Sequence, residues 1–186
     1  MKGLFVQNNS SPIQSSRVLK TVEGVLHMTY EKMLDTLNKI IFAILVVLVC
    51  IMMAVGGMQV FWRYVLKNSL YWSEEVMRYL NIWTIFLGIS IGIPRNIHVA
   101  IDAIIRAFKG RVKFSAVMFV YLLTLVFFVG LFGIGIKFTI YNMGQLSPAM
   151  RFPMSMIYVS LPVGGFLSIL FTIGEIIKHC KSGVTQ

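Results

Sequence analysis

Glu74, Glu75 and Arg78 stand together where an apolar stretch begins, just after Tyr71, Trp72 and Ser73. On a helix, Arg78 falls four residues after Glu74 and three after Glu75, so the three share one face. Two carboxylates beside a guanidinium can do two kinds of work. At membrane depth they can relay an ion or a proton, because charges there are costly and rare. They can equally pair, within the helix or across a subunit boundary, and so fix where the helix sits. The pairing reading is favoured. Ser73 is suited to cap the helix, and the two glutamates to its positive end.

Other residues with chemical potential are scattered. His27, His98 and His179 all fall outside the longest apolar runs, which leaves no pair of axial haem ligands within them. His98 reads as hydrogen-bonded to nearby backbone rather than as a metal ligand. Cys50 lies in the middle of an apolar run and Cys180 in the C-terminal tail, so no disulfide is expected. A lone amide, Gln59, reads as an interhelical hydrogen bond. No catalytic, cofactor-binding or metal-binding set is expected.

These residues are positioned by four apolar runs, roughly Ile40–Trp62, Ser73–Ile93, Phe114–Ile136 and Met154–Ile177. About 20 helical residues cross a hydrocarbon core of about 30 Å. The chain of 186 residues is 57% hydrophobic, well above a soluble domain of its size. Backbone groups in lipid must pair internally, and these runs lack the period-two alternation of a barrel strand, so each is expected to be a helix. The expected fold is therefore an all-α membrane protein with four transmembrane helices.

Charge sets its expected orientation. The net charge is +10, yet the basic residues flank the apolar runs instead of forming a stripe, which argues against nucleic acid as a partner. Twelve lie before the first run, between the second and third, or after the fourth; five lie on the opposite side. The excess of Lys and Arg assigns both termini and the middle loop to the cytoplasm. The first and third loops then face out.

Residues 1–16 are polar and expected to be loose. Over 17–39, Val22, Leu26, Tyr30, Met33 and Leu37 recur at steps of three and four, with Ser16 suited as N-cap. This segment reads either as an amphipathic helix on the cytoplasmic membrane surface or as an extension of the first transmembrane helix. The transmembrane domain is expected over 40–181. A short interfacial helix is expected between helices 2 and 3, where Ile101, Ile104, Ile105 and Phe108 alternate with charged residues. Gly88 and Gly92, spaced as GxxxG, and Gly130, Gly133 and Gly135 allow close helix packing. The loop around Pro148 and Pro153 should be a compact turn, and Pro162 should kink the last helix.

The string Phe61-Trp62-Arg63-Tyr64, Leu70-Tyr71-Trp72-Ser73-Glu74-Glu75, Arg78-Tyr79, Trp83 and Phe86-Leu87-Gly88 resembles the small membrane subunit of tripartite ATP-independent periplasmic (TRAP) transporters. The likeness continues through Arg95-Asn96-Ile97-His98-Val99, Gln145-Leu146-Ser147-Pro148-Ala149 and Leu161-Pro162-Val163-Gly164-Gly165, from about Asp35 to Lys178. The resemblance implies no enzyme and no cofactor. It implies a bacterial inner-membrane scaffold bracing a large permease subunit of about twelve helices and helping to dock a periplasmic binding protein, with membrane lipid around it. Uptake would be sodium-coupled, of organic acids of the sialic acid or C4-dicarboxylate type. The residues singled out for docking or subunit contact are Arg63, Trp72, Glu74, Glu75, Arg78, Gln145 and Arg151. A free-standing four-helix exporter would need a buried carboxylate that the first and third runs lack. A membrane-anchor subunit of a redox enzyme would need a bound haem or quinone.

Overall fold

The computed structural model describes residues 12–68, 70–94 and 111–183, and these are helical throughout apart from short connections. The elements are α1 (Pro12–Tyr64), α2 (Ser73–Gly92), α3 (Arg111–Tyr141), the single turn α4 (Ser155–Tyr158) and α5 (Ser160–Gly183). Residues up to Leu37 form one compact unit, and those from Asn38 onward form a second that holds the helices discussed below. The expected interfacial helix between helices 2 and 3 lies outside the described residues, apart from its last positions, where α3 has already begun.

Among the described residues, three helical stretches are long and apolar enough to cross a membrane: Met28–Tyr64, Phe114–Tyr141 and Ser155–Cys180. α2 is less apolar because Glu74, Glu75 and Arg78 occupy its first two turns. Its 20 residues nevertheless rise about 30 Å. At the other end of the chain, α1 begins at Pro12, a residue whose missing N–H costs nothing in a first turn. Ser16 therefore lies inside the helix and does not cap it. The segment expected to start at Arg17 and the first apolar run both belong to α1.

α5 lies between α2 and α3, and a glycine doublet explains how. A Cβ on Gly164 would stand 2.7 Å from the Phe86 Cβ and 3.0 Å from the Phe86 carbonyl oxygen of α2. A Cβ on Gly165 would stand 3.2 Å from the Phe132 nitrogen of α3. Each glycine lets a neighbouring backbone approach where any side chain would intrude. Gly135 of α3 makes a third such contact, against Pro162 at 2.9 Å. Of the other glycines expected to pack, Gly92 is buried, whereas Gly88, Gly130 and Gly133 have nothing within 4 Å of the same position.

The seam around α5 is filled by small and aromatic residues. Leu87, Ile91, Phe128 and Phe171 are buried, as are Ser90, Ser160, Ser168 and Thr172. Ser90, Ser160 and Thr172 donate to carbonyls three or four residues earlier in their own chain, at 2.6–2.7 Å, so these hydroxyls enter the apolar seam already paired. Pro162 sits in the first turn of α5, where its missing N–H leaves the Tyr158 carbonyl without its helical partner. The helical run is interrupted at Val159, between α4 and α5, so the break falls three residues before the proline and near the start of the Ser155–Cys180 stretch.

α1 is held differently. From Ile40 to Tyr64 many of its large apolar residues are exposed, Phe42, Val47, Met53 and Phe61 among them, although Ile41 and Leu45 are buried. Its contacts with α2 are made by side-chain tips, such as Met77 Sδ at 3.5 Å from a Cβ built on Gly56. α3 likewise leaves an apolar face bare, including Phe119, Leu123, Val126 and Phe127. Cys50 and Cys180 are free and exposed.

Candidate functional site

The charged residues collect at the end of the helices formed by the C-terminus of α1, the N-terminus of α2 and the loop before α4. Ser73 is fully buried there, but it does not cap α2. The N-cap is Trp72, in a helical backbone conformation with no side-chain cap bond, and the Ser73 hydroxyl donates instead to the Leu70 carbonyl at 2.8 Å. The turn Leu70–Ser73 already occupies the position where a serine would cap.

The neighbouring glutamates turn opposite ways. Glu74 is exposed and reaches back to α1, where its Oε1 accepts from Arg63 Nη2 at 3.1 Å and from Gln59 Nε2 at 3.3 Å. Gln59 thus makes the interhelical bond expected of a lone amide. Arg63 and Glu74 remain about half exposed, 49% and 58%, so water screens the pair.

Glu75 is 7% exposed and faces the loop that precedes α4. Its Oε1 accepts from the hydroxyls of Ser147 and Tyr79. Its Oε2 accepts from the backbone amides of Ala149 at 3.0 Å and Met150 at 3.2 Å. The loop explains why those amides are available. Ser147 begins one helical turn: its carbonyl accepts from Arg151 N at 3.1 Å and its Oγ from Met150 N at 3.4 Å. Pro148 takes the first position, where a proline fits; the Ala149 N–H then has no partner within the turn, and the Met150 N–H has only the long contact to Ser147 Oγ. Glu75 supplies the missing acceptor from another element. Arg151 ends the turn with a left-handed φ of 53°, uncommon for a residue with a side chain.

The loop is the compact turn its prolines suggested. Ser147 N donates to Phe152 O and Met154 N to Gln145 O, both at 2.8 Å, and Leu146 and Pro153 form an antiparallel bridge. Phe138 packs edge-on against Tyr158 with ring centroids 5.0 Å apart, tying α3 to α4 beneath it.

One expectation is corrected. Arg78 pairs with neither glutamate, because Glu74 is drawn to α1 and Glu75 to the loop; its side chain is exposed. Arg63 and Glu74 are thus brought together across elements, while Glu75 is joined to the loop before α4. Trp72 is half-buried at the N-cap, while Gln145 and Arg151 are exposed and serve the loop through their backbones. Sequence reasoning missed Tyr79, Ser147, Ala149 and Met150. The signal that could have found the last three is Ser-Pro opening a helical turn, whose first amides call for an acceptor from outside it. At the opposite helix ends, Lys178 pairs with Glu175 at 3.0 Å and His179 stacks on Phe114.

These features define an all-helical membrane protein whose charged end binds its own elements together and whose helix flanks are bare and apolar. The chain belongs to the DctQ component family of tripartite ATP-independent periplasmic transporters, whose family model matches residues 52–182. It is 29% identical over 152 residues to the ectoine TRAP transporter small permease protein TeaB of Halomonas elongata, covering 80% of this chain and 79% of that protein. It is therefore a small permease subunit of a TRAP transporter, a transport component and not an enzyme.

Proposed function

We propose that this subunit braces the large permease subunit in the bacterial inner membrane and contributes to docking of the periplasmic binding protein. It crosses the membrane four times, with both termini and the segment between α2 and α3 in the cytoplasm. The Glu75-bound loop and the Arg63–Glu74 pair then lie on the periplasmic side. The coupling ion is sodium, and the cargo is an organic acid of the sialic acid or C4-dicarboxylate type, or a related organic solute as the ectoine relative suggests.

The observation that carries this reading is the contrast between bare flanks and satisfied charges. α1 and α3 expose long apolar faces to whatever surrounds them, whereas Glu74 and Glu75 are both committed to bonds within the chain. A subunit that moved ions would need a carboxylate left open at membrane depth. A brace needs apolar area and a rigid end.

The test is reconstitution with and without each partner. Sodium-driven uptake is expected from the chain, the large permease and the binding protein together, and none from this chain alone. Uptake by the chain alone would overturn the reading. Topology is checked with single cysteines at Asn68, Gln145, Lys109 and Lys181 in a background lacking Cys50 and Cys180. A membrane-impermeant thiol reagent should label only the first two in intact cells.

A further inference from the structure

Arg78 is left over by the fold. Of the two carboxylates nearest to it along α2, Glu74 is bound to Arg63 and Gln59, and Glu75 to two hydroxyls and two amides. Among the described residues, no hydrogen bond or ion pair engages the Arg78 guanidinium. It lies in the second turn of α2, at the edge of the proposed membrane span, where an arginine is costly unless it is paired or faces protein.

Arg78 borders an open cavity of about 350 Å³, whose apolar lining includes Tyr71, Ile82, Pro148, Ile157 and Tyr158. Glu74 and Glu75 line it as well, but their carboxylates are taken up by Arg63 and Gln59 and by the loop before α4, so Arg78 is the charged group of the lining that no side chain or amide among the described residues engages. A planar guanidinium takes a carboxylate through two parallel hydrogen bonds, and a low-dielectric wall strengthens that pair.

We infer that Arg78 and this cavity receive an acidic side chain of the large permease subunit, forming an ion pair between subunits. The inference rests on the proposed bracing role and names the chemistry of its contact. Position favours the permease over the binding protein. Ile82 lies nine residues beyond the start of α2, about 14 Å along the helix, whereas Pro148 and Ala149, which also line the cavity, belong to the loop that the proposed topology puts in the periplasm. A periplasmic protein meets that loop first. A membrane-embedded neighbour reaches the cavity from the flank.

The experiment uses the complete transporter in native membranes. A photo-crosslinking residue replaces Ile82 (Ile82→p-benzoylphenylalanine), and adducts are identified by mass spectrometry. An adduct with the large permease is expected; an adduct with the binding protein or with phospholipid alone would overturn the inference. Separately, Arg78→Glu should lower the permease recovered with the tagged chain about tenfold, as expected for a desolvated pair turned repulsive, and Arg78→Lys, which keeps the charge but not the two parallel bonds, should fall between that variant and the wild type. Full recovery with Arg78→Glu overturns the pair. The Arg78→Glu chain should itself melt like the wild type in detergent, since the side chain is exposed and has no partner in this chain. If it does not, the Ile82 adduct decides alone. Failure of the wild-type chain to recover any permease would instead refute the bracing role.

Discussion

α5 and the Asn38–Tyr64 part of α1 are both apolar helices, yet they are held by different physics. α5 meets its neighbours backbone to backbone, through Gly164 against Phe86 and Gly165 against Phe132, with paired hydroxyls buried in the seam. α1 meets α2 through side-chain tips: Met77 near Gly56, and the Arg63–Glu74 and Gln59–Glu74 bonds. The adjacent glutamates divide along the same line. Glu75 belongs to the close-packed part, locking the loop before α4 onto α2, and Glu74 to the open part. In a membrane the hydrophobic effect does not drive one helix against another, so close approach and hydrogen bonding must do it. Where they are absent, a flank is left for another partner.

The largest effect is expected where the close-packed part depends on one side chain. Glu75→Ala leaves two hydroxyls and two amides without their acceptor, and should destabilise the chain by about 2–4 kcal/mol. Thermal unfolding in detergent would measure this, and hydrogen exchange should show the amides of Ala149 and Met150 losing protection. Glu75→Gln should recover only part, since it keeps one acceptor oxygen but turns an amide donor towards other donors. An unchanged melting temperature for Glu75→Ala would erase the distinction between the two glutamates.

Next comes the glycine seam. Gly164→Ala forces a methyl to within 2.7 Å of Phe86 and should cost about 1–3 kcal/mol through backbone displacement. Gly165→Ala, with its nearest contact at 3.2 Å, should cost less.

On the open side, effects should be small. Arg63→Ala removes a half-exposed ion pair and should cost about 0.2–1 kcal/mol, with the difference shrinking in high salt. Gly88→Ala meets nothing within 4 Å and should change the melting temperature of the isolated chain by less than about 0.5 kcal/mol equivalent. If Gly88→Ala nonetheless lowers recovery of the large permease, the bare surface at Gly88 of α2 is a contact of the assembly and not of the chain.

Much of the helical architecture was legible because it follows from local rules. A run such as Phe114–Ile136 carries no charge, and a backbone in lipid has no alternative to helical pairing. Gln59 was readable for the same reason, as a lone amide near the end of an apolar helix needs a partner close by. Helix boundaries were less so. Ser16 and Ser73 both look like caps, but α1 already extends to Pro12, and the turn at Leu70 claims the Ser73 hydroxyl.

What the sequence determined alone is the set of apolar segments, the confinement of charge to their ends and the family signature, since each depends on residues close together in the chain. What only the tertiary structure decided is which partner each polar group takes and which glycines pack. Glu75 and Ser147 stand 72 residues apart, and no helical spacing relates them. Gly88 and Gly164 are equally bare of side chain, but only one faces a neighbouring backbone. Local periodicity specifies what a face is made of; the meeting of two faces depends on how whole helices cross, and that is settled by every contact along them at once.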